Sequence, residues 1–398
     1  MRTSWKITVL GLATVAVAGI VRHDTQGTQA SSLKADSILA RYWEPLDPQG
    51  PPPDHWTDIE ASLLPDACAS CHPDQFAAWQ TSFHAKAFSP GLVGQLLGYD
   101  SGDVAACMRC HAALAEQRNH FEWARVQGKG HVREAQGLAA WGNSCGGCHF
   151  RERQCFGPPQ RDTGVTGPGS SDAPHGGVHR SAFFESAEFC SGCHQFDSSL
   201  AVNGKPLENT YVEWQATAFA AAGVTCQGCH MPDRQHLWRG IHDPEMVKSG
   251  LVARFDASPD RARFELTSTG IGHAFPTYVT PKAVMRGVAL DRTGLPEAGS
   301  VVSYVIQRVV EHIDGEWVER SDSRLLPGET ARLEMDWPES GRVKMWLEVH
   351  PDDFYDHSVY DVLLQQLADG PAAELIAEAD RQAEASRFNL FETEVTRP

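Results

Sequence analysis

Ten cysteines and five histidines of this 398-residue chain share one repeated arrangement. It occurs as Cys68-Ala69-Ser70-Cys71-His72, Cys107-Met108-Arg109-Cys110-His111, Cys145-Gly146-Gly147-Cys148-His149, Cys190-Ser191-Gly192-Cys193-His194 and Cys226-Gln227-Gly228-Cys229-His230. Two thiols three residues apart, with histidine directly after, form the attachment signature of c-type haem. The thiols add to the vinyl groups of the porphyrin, and the histidine supplies one axial nitrogen to the iron. Paired Cys-x-x-Cys also binds zinc, usually two pairs per site, but zinc needs no histidine after the second cysteine. A disulfide framework explains neither the constant offset nor the trailing histidine. Five covalent haem c groups are therefore expected. Their thioether positions are Cys68, Cys71, Cys107, Cys110, Cys145, Cys148, Cys190, Cys193, Cys226 and Cys229, and their proximal ligands are His72, His111, His149, His194 and His230. Of the eleven cysteines only Cys155 falls outside the pattern, and it reads as a buried apolar side chain.

Each proximal histidine needs a partner on the opposite haem face, or its iron stays open. His84, His120, His131, His175, His179, His236, His242 and His273 lie between the first motif and the segment after the fifth. That supply permits bis-histidine ligation throughout, a low-potential arrangement, whereas methionine would raise the potential. Met231 follows the fifth motif at once, cannot turn back to the same iron and reads as a packing residue. His84 is expected to sit on a short aromatic helix just after the first motif. His131 precedes Cys145 by 14 residues. His175 and His179 stand four apart and would share a helix face, but Gly176-Gly177 favours a turn, so His179 is preferred. Of His236 and His242, one reads as a ligand and the other as a partner of a haem propionate or of a ligand; we take His242 as the ligand. His273 sits between Gly270 and Gly272, which allow a sharp turn, and Pro276, which biases Phe275 toward extended backbone. A loop braced on both sides can hold an imidazole against an iron.

These residues need a scaffold. Residues 1–23 read as a signal peptide or membrane anchor: Arg2 and Lys6 precede an apolar run, and Ala16-Val17-Ala18 is a small-residue cleavage site. The run from Ile7 to Val21 has 15 residues, short of the roughly 20 needed to span a bilayer. Residues 24–60 are a proline-rich linker. Residues 61–250 carry the motifs, which start 39, 38, 45 and 36 residues apart. Such density predicts a mainly α and loop multihaem domain wrapped around five haems, with little strand and a loop from Gly157 to Gly177. Residues 251–350 alternate with period two, as in Leu333, Met335 and Trp337 or Val343, Met345, Leu347 and Val349. They predict a small antiparallel β-sandwich whose first strand is Phe264–Leu266, with a tight hairpin at Asp314-Gly315. Residues 351–398 are expected to form a C-terminal helical segment, interrupted at Gly370-Pro371. A faint repeat aligns Trp79 with Trp214 and His84 with Phe219.

The formal net charge is −17. No basic patch exists, which excludes nucleic acid as a partner. The charge suits docking to basic redox proteins, namely other cytochromes or a membrane quinol-oxidising complex. Covalent haem attachment points to a periplasmic or extracytoplasmic location. Membrane contact is expected only through the N-terminal segment, if it is retained.

Three runs resemble the cytochrome c554-type multihaem family. They are Ser186-Ala187-Glu188-Phe189-Cys190-Ser191-Gly192-Cys193-His194-Gln195, Asn209-Thr210-Tyr211-Val212-Glu213-Trp214 and Cys226-Gln227-Gly228-Cys229-His230-Met231-Pro232. Trp79 to His84 and Gly272-His273-Ala274-Phe275-Pro276-Thr277 are similar to elements of the same family. The similarity covers roughly residues 65–290. It implies haems stacked in parallel or perpendicular pairs, with His84 and His179 at distal-ligand positions, and roles from electron relay to reduction of nitrogen or sulfur oxyanions. Pentahaem nitrite reductases carry lysine in place of one motif histidine, and no motif here does. The expected function is an exported pentahaem electron relay with mostly bis-histidine haems. The alternatives are an oxidoreductase with one open haem, acting on a small nitrogen or sulfur oxyanion, and a structural subunit of a cytochrome complex or filament.

Overall fold

The computed structural model describes residues 34–44, 46–126, 134–170 and 172–398. The expected signal segment and His131 lie outside the described residues. The chain divides at Tyr42, and Trp43–Pro398 forms one compact unit. Before that point the described chain is a helical turn over 34–39.

From Asp58 to Gly250 the regular elements are short, because each cysteine motif ends a helix. Helices run over Pro65–Ala69, Ser101–His111, Cys145–His149, Ala187–His194 and Cys226–His230. Two cysteines at i and i+3 share one helix face. The residues after four of the motifs leave helical backbone: Ala112 has φ −156°, Phe150 φ −119°, Gln195 φ −151° and Met231 φ −132°. After the first motif, His72 itself leaves the helix at φ −124° and caps the next one, Pro73–Gln80, with proline at its first position.

Strand is more abundant here than the motif density predicts. Strands β1 (Phe150–Arg151), β2 (Gln154–Gly157) and β3 (Val178–Arg180) form a small sheet, with β2 and β3 parallel. Strands β4 (Ala201–Val202) and β5 (Lys205–Pro206) form a hairpin. The physical reason is that chain joining two motif helices must satisfy its own backbone groups, and short pairings do so.

From residue 251 the chain is antiparallel sheet. Strands β6 (Leu251–Ala257), β7 (Arg261–Ser268) and β12 (Thr330–Asp336) form one sheet in the order β12-β7-β6. Strands β8 (Lys282–Ala289), β9 (Val302–Ile306), β13 (Arg342–His350) and β14 (Phe388–Thr396) form another in the order β14-β13-β8-β9. Alternate residues of both sheets enter one core that includes Phe264, Leu266, Met285, Leu333, Met345 and Leu347. The first strand is thus β6 rather than Phe264–Leu266. Strands β10 (Arg308–Ile313) and β11 (Glu316–Asp322) make a hairpin closed by Asp314 at φ 52° and Gly315 at φ 88°. Both residues lie in the left-handed region that a two-residue hairpin turn requires.

The C-terminal segment differs from the helical expectation. A helix covers Pro371–Ala385, but Phe388–Thr396 returns as β14 and pairs with β13. Leu390 and Val395 face the core of the two sheets, so burial overrides helix propensity in these last residues. Leu375, on the helix, packs with Val93, Leu96 and Met108 around the second motif. Through it the C-terminal helix braces a motif helix. Among the described residues no helix is long and apolar enough to cross a membrane.

Candidate functional site

None of the eleven cysteines forms a disulfide. The five motifs converge. The thiols of Cys68 and Cys145 lie beside one another, as do those of Cys110 and Cys193 and those of Cys190 and Cys226. The first motif therefore lies beside the third, and the fourth lies beside both the second and the fifth. Cys148 of the third motif is within electrostatic reach of Cys190 and Cys193 of the fourth. One contiguous cluster holds all five.

The motif histidines are oriented by hydrogen bonds at Nδ1. His111 donates to Ala87 O (2.9 Å), His149 to Phe156 O (2.8 Å) and His230 to Arg239 O (2.6 Å). A carbonyl only accepts, so the proton sits on Nδ1 and the Nε2 lone pair is left for a metal. His194 differs, because its Nδ1 meets the carboxylate of Glu208 at 2.8 Å. Burial pushes the His194 ring down, but the hydrogen bond and charge of Glu208 outweigh it and hold the ring above its ordinary value.

Three other imidazoles face motif histidines. Ring centres are 6.1 Å apart for His84 and His194, 6.2 Å for His149 and His236, and 6.3 Å for His230 and His273. A metal–imidazole bond is about 2 Å long and the ring centre lies about 1.1 Å beyond the nitrogen, so two imidazoles across one metal sit roughly 6.3 Å apart. Burial pushes His84 down to about 3, and His236 and His273 down to about 4. All three are neutral at pH 7, the form in which imidazole binds metals. His236 donates from Nδ1 to Arg234 O, and His273 to Ala274 O. Cysteine pairs at i and i+3, imidazoles most of which have Nδ1 engaged, and three ring pairs at this spacing together fit a haem c donor set.

Each facing histidine is held by a different device. The turn bearing His84 packs on Gly142, at φ 55°, where an added Cβ would stand 2.5 Å from His84 O. Asn143 N donates to His84 O (2.8 Å), and Asn143 Nδ2 donates to Cys110 O (2.6 Å). His236 sits in a loop with three non-glycine residues at positive φ: Asp233 (53°), Arg234 (60°) and Trp238 (41°). Such strain persists only where surrounding contacts over-determine it, and here Arg234 is tied to Glu185 and to Pro159 O. Trp238 stands edge-on to both His84 (4.6 Å) and His236 (5.0 Å), and its backbone N–H donates to His230 O (2.9 Å). The His273 loop is fastened by paired backbone bonds between Phe275 and Leu325, both 2.8 Å, and by Glu213, which accepts from Ala274 N (3.3 Å). Glu213 in turn pairs with the buried Arg324 at 2.8 Å.

The remaining candidates lie elsewhere. His242 stacks on Phe83 with ring centres 4.0 Å apart, and its Nε2 lies 2.9 Å from Asp352 Oδ2. With that nitrogen engaged, His236 rather than His242 faces a motif histidine. His179 lies on β3 with its ring 5.5 Å from Phe156. His175, passed over in the sequence reading, is within electrostatic reach of His72, and its buried Nδ1 has no hydrogen-bond partner. His120 packs against Trp123 and Gly137. Cys155 lies on β2, and burial pushes its thiol up to about 12. Glu208 and Trp238 were not found from sequence, since neither has a motif spacing that marks it.

No family model matches the chain, and no curated protein does. Among solved structures, the crystal structure of a penta-heme cytochrome c552 from Thermochromatium tepidum is similar, with a TM-score of 0.57 and 19% identity over 85% of this chain and 99% of that one. At this identity the likeness shows the fold, that of a multihaem c-type cytochrome, and not membership of the c554-type family in particular.

Proposed function

We propose that the chain is an exported pentahaem c-type cytochrome that relays electrons between protein partners outside the cytoplasm. The observation that carries this is the joining of five attachment motifs into one cluster, three with a second neutral imidazole at the span of a metal. Haem c, when bound, supplies reversible one-electron chemistry at each motif. The chain's own residues do the rest. The cysteine pairs tether, and the Nδ1 hydrogen bonds aim each Nε2. We assign His84 opposite His194, His236 opposite His149, His273 opposite His230, and His175 to the first motif. Basic redox proteins are the proposed partners, by charge.

The polypeptide should gain five haem masses, and intact mass spectrometry of the matured protein checks this. Four or fewer would overturn the reading.

A second reading is favoured around the second motif. Among the described residues no other imidazole lies within ring contact of His111. His194 and His84 are within electrostatic reach of it, and phenols and carboxylates are close by: Glu208 acts on His111, and Tyr355 is within reach of both Cys107 and Glu208. Half-buried Tyr278 lies near Tyr355 and Asp352, and Asp352 holds His242. An iron left open beside such groups could bind a small nitrogen or sulfur oxyanion. Electron paramagnetic resonance of the untreated protein separates the readings. A relay with no open iron is wholly low-spin, whereas an oxidoreductase shows one high-spin iron that binds cyanide.

Trp238 touches imidazoles assigned to two different haems. Trp238→Ala should therefore perturb two low-spin signals at once, with Trp238→Phe milder. Perturbation of one signal alone would show that the indole supports only one ligand.

A further inference from the structure

The fourth motif differs from its neighbours in one bond. The rings of His111, His149, His230, His236 and His273 donate from Nδ1 to backbone carbonyls. His194 alone among these motif and facing histidines donates to a carboxylate, Glu208 Oε1, at 2.8 Å. The Glu208 side chain is 14% exposed, and among the described residues no lysine or arginine pairs with it. Its position is built in: Phe196 N donates to Glu208 O (2.9 Å), and the residue closely follows β5. An anionic acceptor takes a stronger, charge-assisted hydrogen bond than a neutral carbonyl. It draws the Nδ1 proton outward and makes the ring a better donor at Nε2. A better donor, with an unneutralised negative charge close by, favours the ferric over the ferrous iron.

We propose that Glu208 sets the potential of the fourth-motif haem, making it the most reducing of the three whose irons lie between paired imidazoles. This rests on the haem reading above. The fourth motif is the hub of the cluster, its thiols beside those of the second and the fifth and within reach of the third. A low-potential hub keeps resident electrons on the surrounding haems and makes the centre a crossing point rather than a store. Glu208 also acts on Cys110 and His111, so a smaller effect is expected at the second motif.

The test is spectroelectrochemical titration with electron paramagnetic resonance on the full-length holoprotein, comparing wild type, Glu208→Gln and Glu208→Asp. His84→Ala identifies the fourth-motif signal as the low-spin species it removes. In Glu208→Gln the potential of that species should move positive by more than any other, and its g-values should change. Glu208→Asp, which keeps the carboxylate, should stay near wild type. The proposal is overturned if no potential moves, if all five move alike, or if Asp behaves as Gln does. Should His84→Ala remove no low-spin species, the ligand assignment fails instead, a separate result.

Discussion

Replacing His84, His236 or His273 with alanine should each convert one low-spin iron to high-spin, without loss of covalently bound haem. On the proposed assignment, removing an imidazole opposite His194, His149 or His230 would leave that iron one nitrogen ligand, while the two cysteines would still hold the porphyrin. The double variant His84→Ala/His236→Ala should show two converted irons, because the two residues face different motifs at 6.1 and 6.2 Å. His242→Ala should leave every spin state unchanged, since its Nε2 already lies against Asp352. Electron paramagnetic resonance counts the signals, and intact mass shows the haem content. A high-spin iron in His242→Ala with none in His236→Ala would reverse the assignment. The His273 variant carries extra weight, because its ligand arrives from the β-sheet region. A high-spin signal there would mean that this region completes a haem site of the motif region.

The second large effect is on stability. Arg308→Ala should destabilise the fold by about 3–5 kcal/mol, the usual cost of breaking a buried ion pair. Arg308 is 1% exposed. Its guanidinium donates to Glu319 at 2.8 Å, to Pro206 O at 2.5 Å, and to Val202 O and Lys205 O at 2.9 Å each. It thereby docks the β4–β5 hairpin, which leads to Glu208, onto the β10–β11 hairpin. Truncation leaves three carbonyls and a carboxylate short of a donor in a site that water reaches poorly. Lys205 and Asn203 still reach Glu319, so the loss should be smaller in Arg308→Ala/Glu319→Ala than the sum of the single changes. Chemical denaturation followed by circular dichroism measures both. A loss under about 1 kcal/mol would show that the hairpins stay docked without the pair.

The attachment chemistry was legible in the sequence because it is local. A thiol pair at i and i+3 with histidine next is complete within five residues, and no distant contact alters what it can bind. The Asp314-Gly315 turn was legible for the same reason, since two adjacent residues that tolerate positive φ suffice to close a hairpin. Period-two alternation from 330 to 349 likewise records a face that must be buried. The strand at 388–396 was not legible. Its place beside β13 is decided by pairing with Arg342–Val349 and by a core shared with residues from Val247 to Val349, none of them local to it, and the neighbouring helical composition pointed the other way. Partner histidines are the clearest case. His236 and His242 lie six residues apart on one loop, and nothing in their neighbours distinguishes them. Our assignment follows from where the fold places the two rings: His236 faces His149, whereas His242 lies on Phe83 with its Nε2 against Asp352, 110 residues further on. Glu208 and Trp238 belong to the same class. Their effects depend on which ring they touch, and that follows from how five short helices pack together rather than from any spacing along the chain.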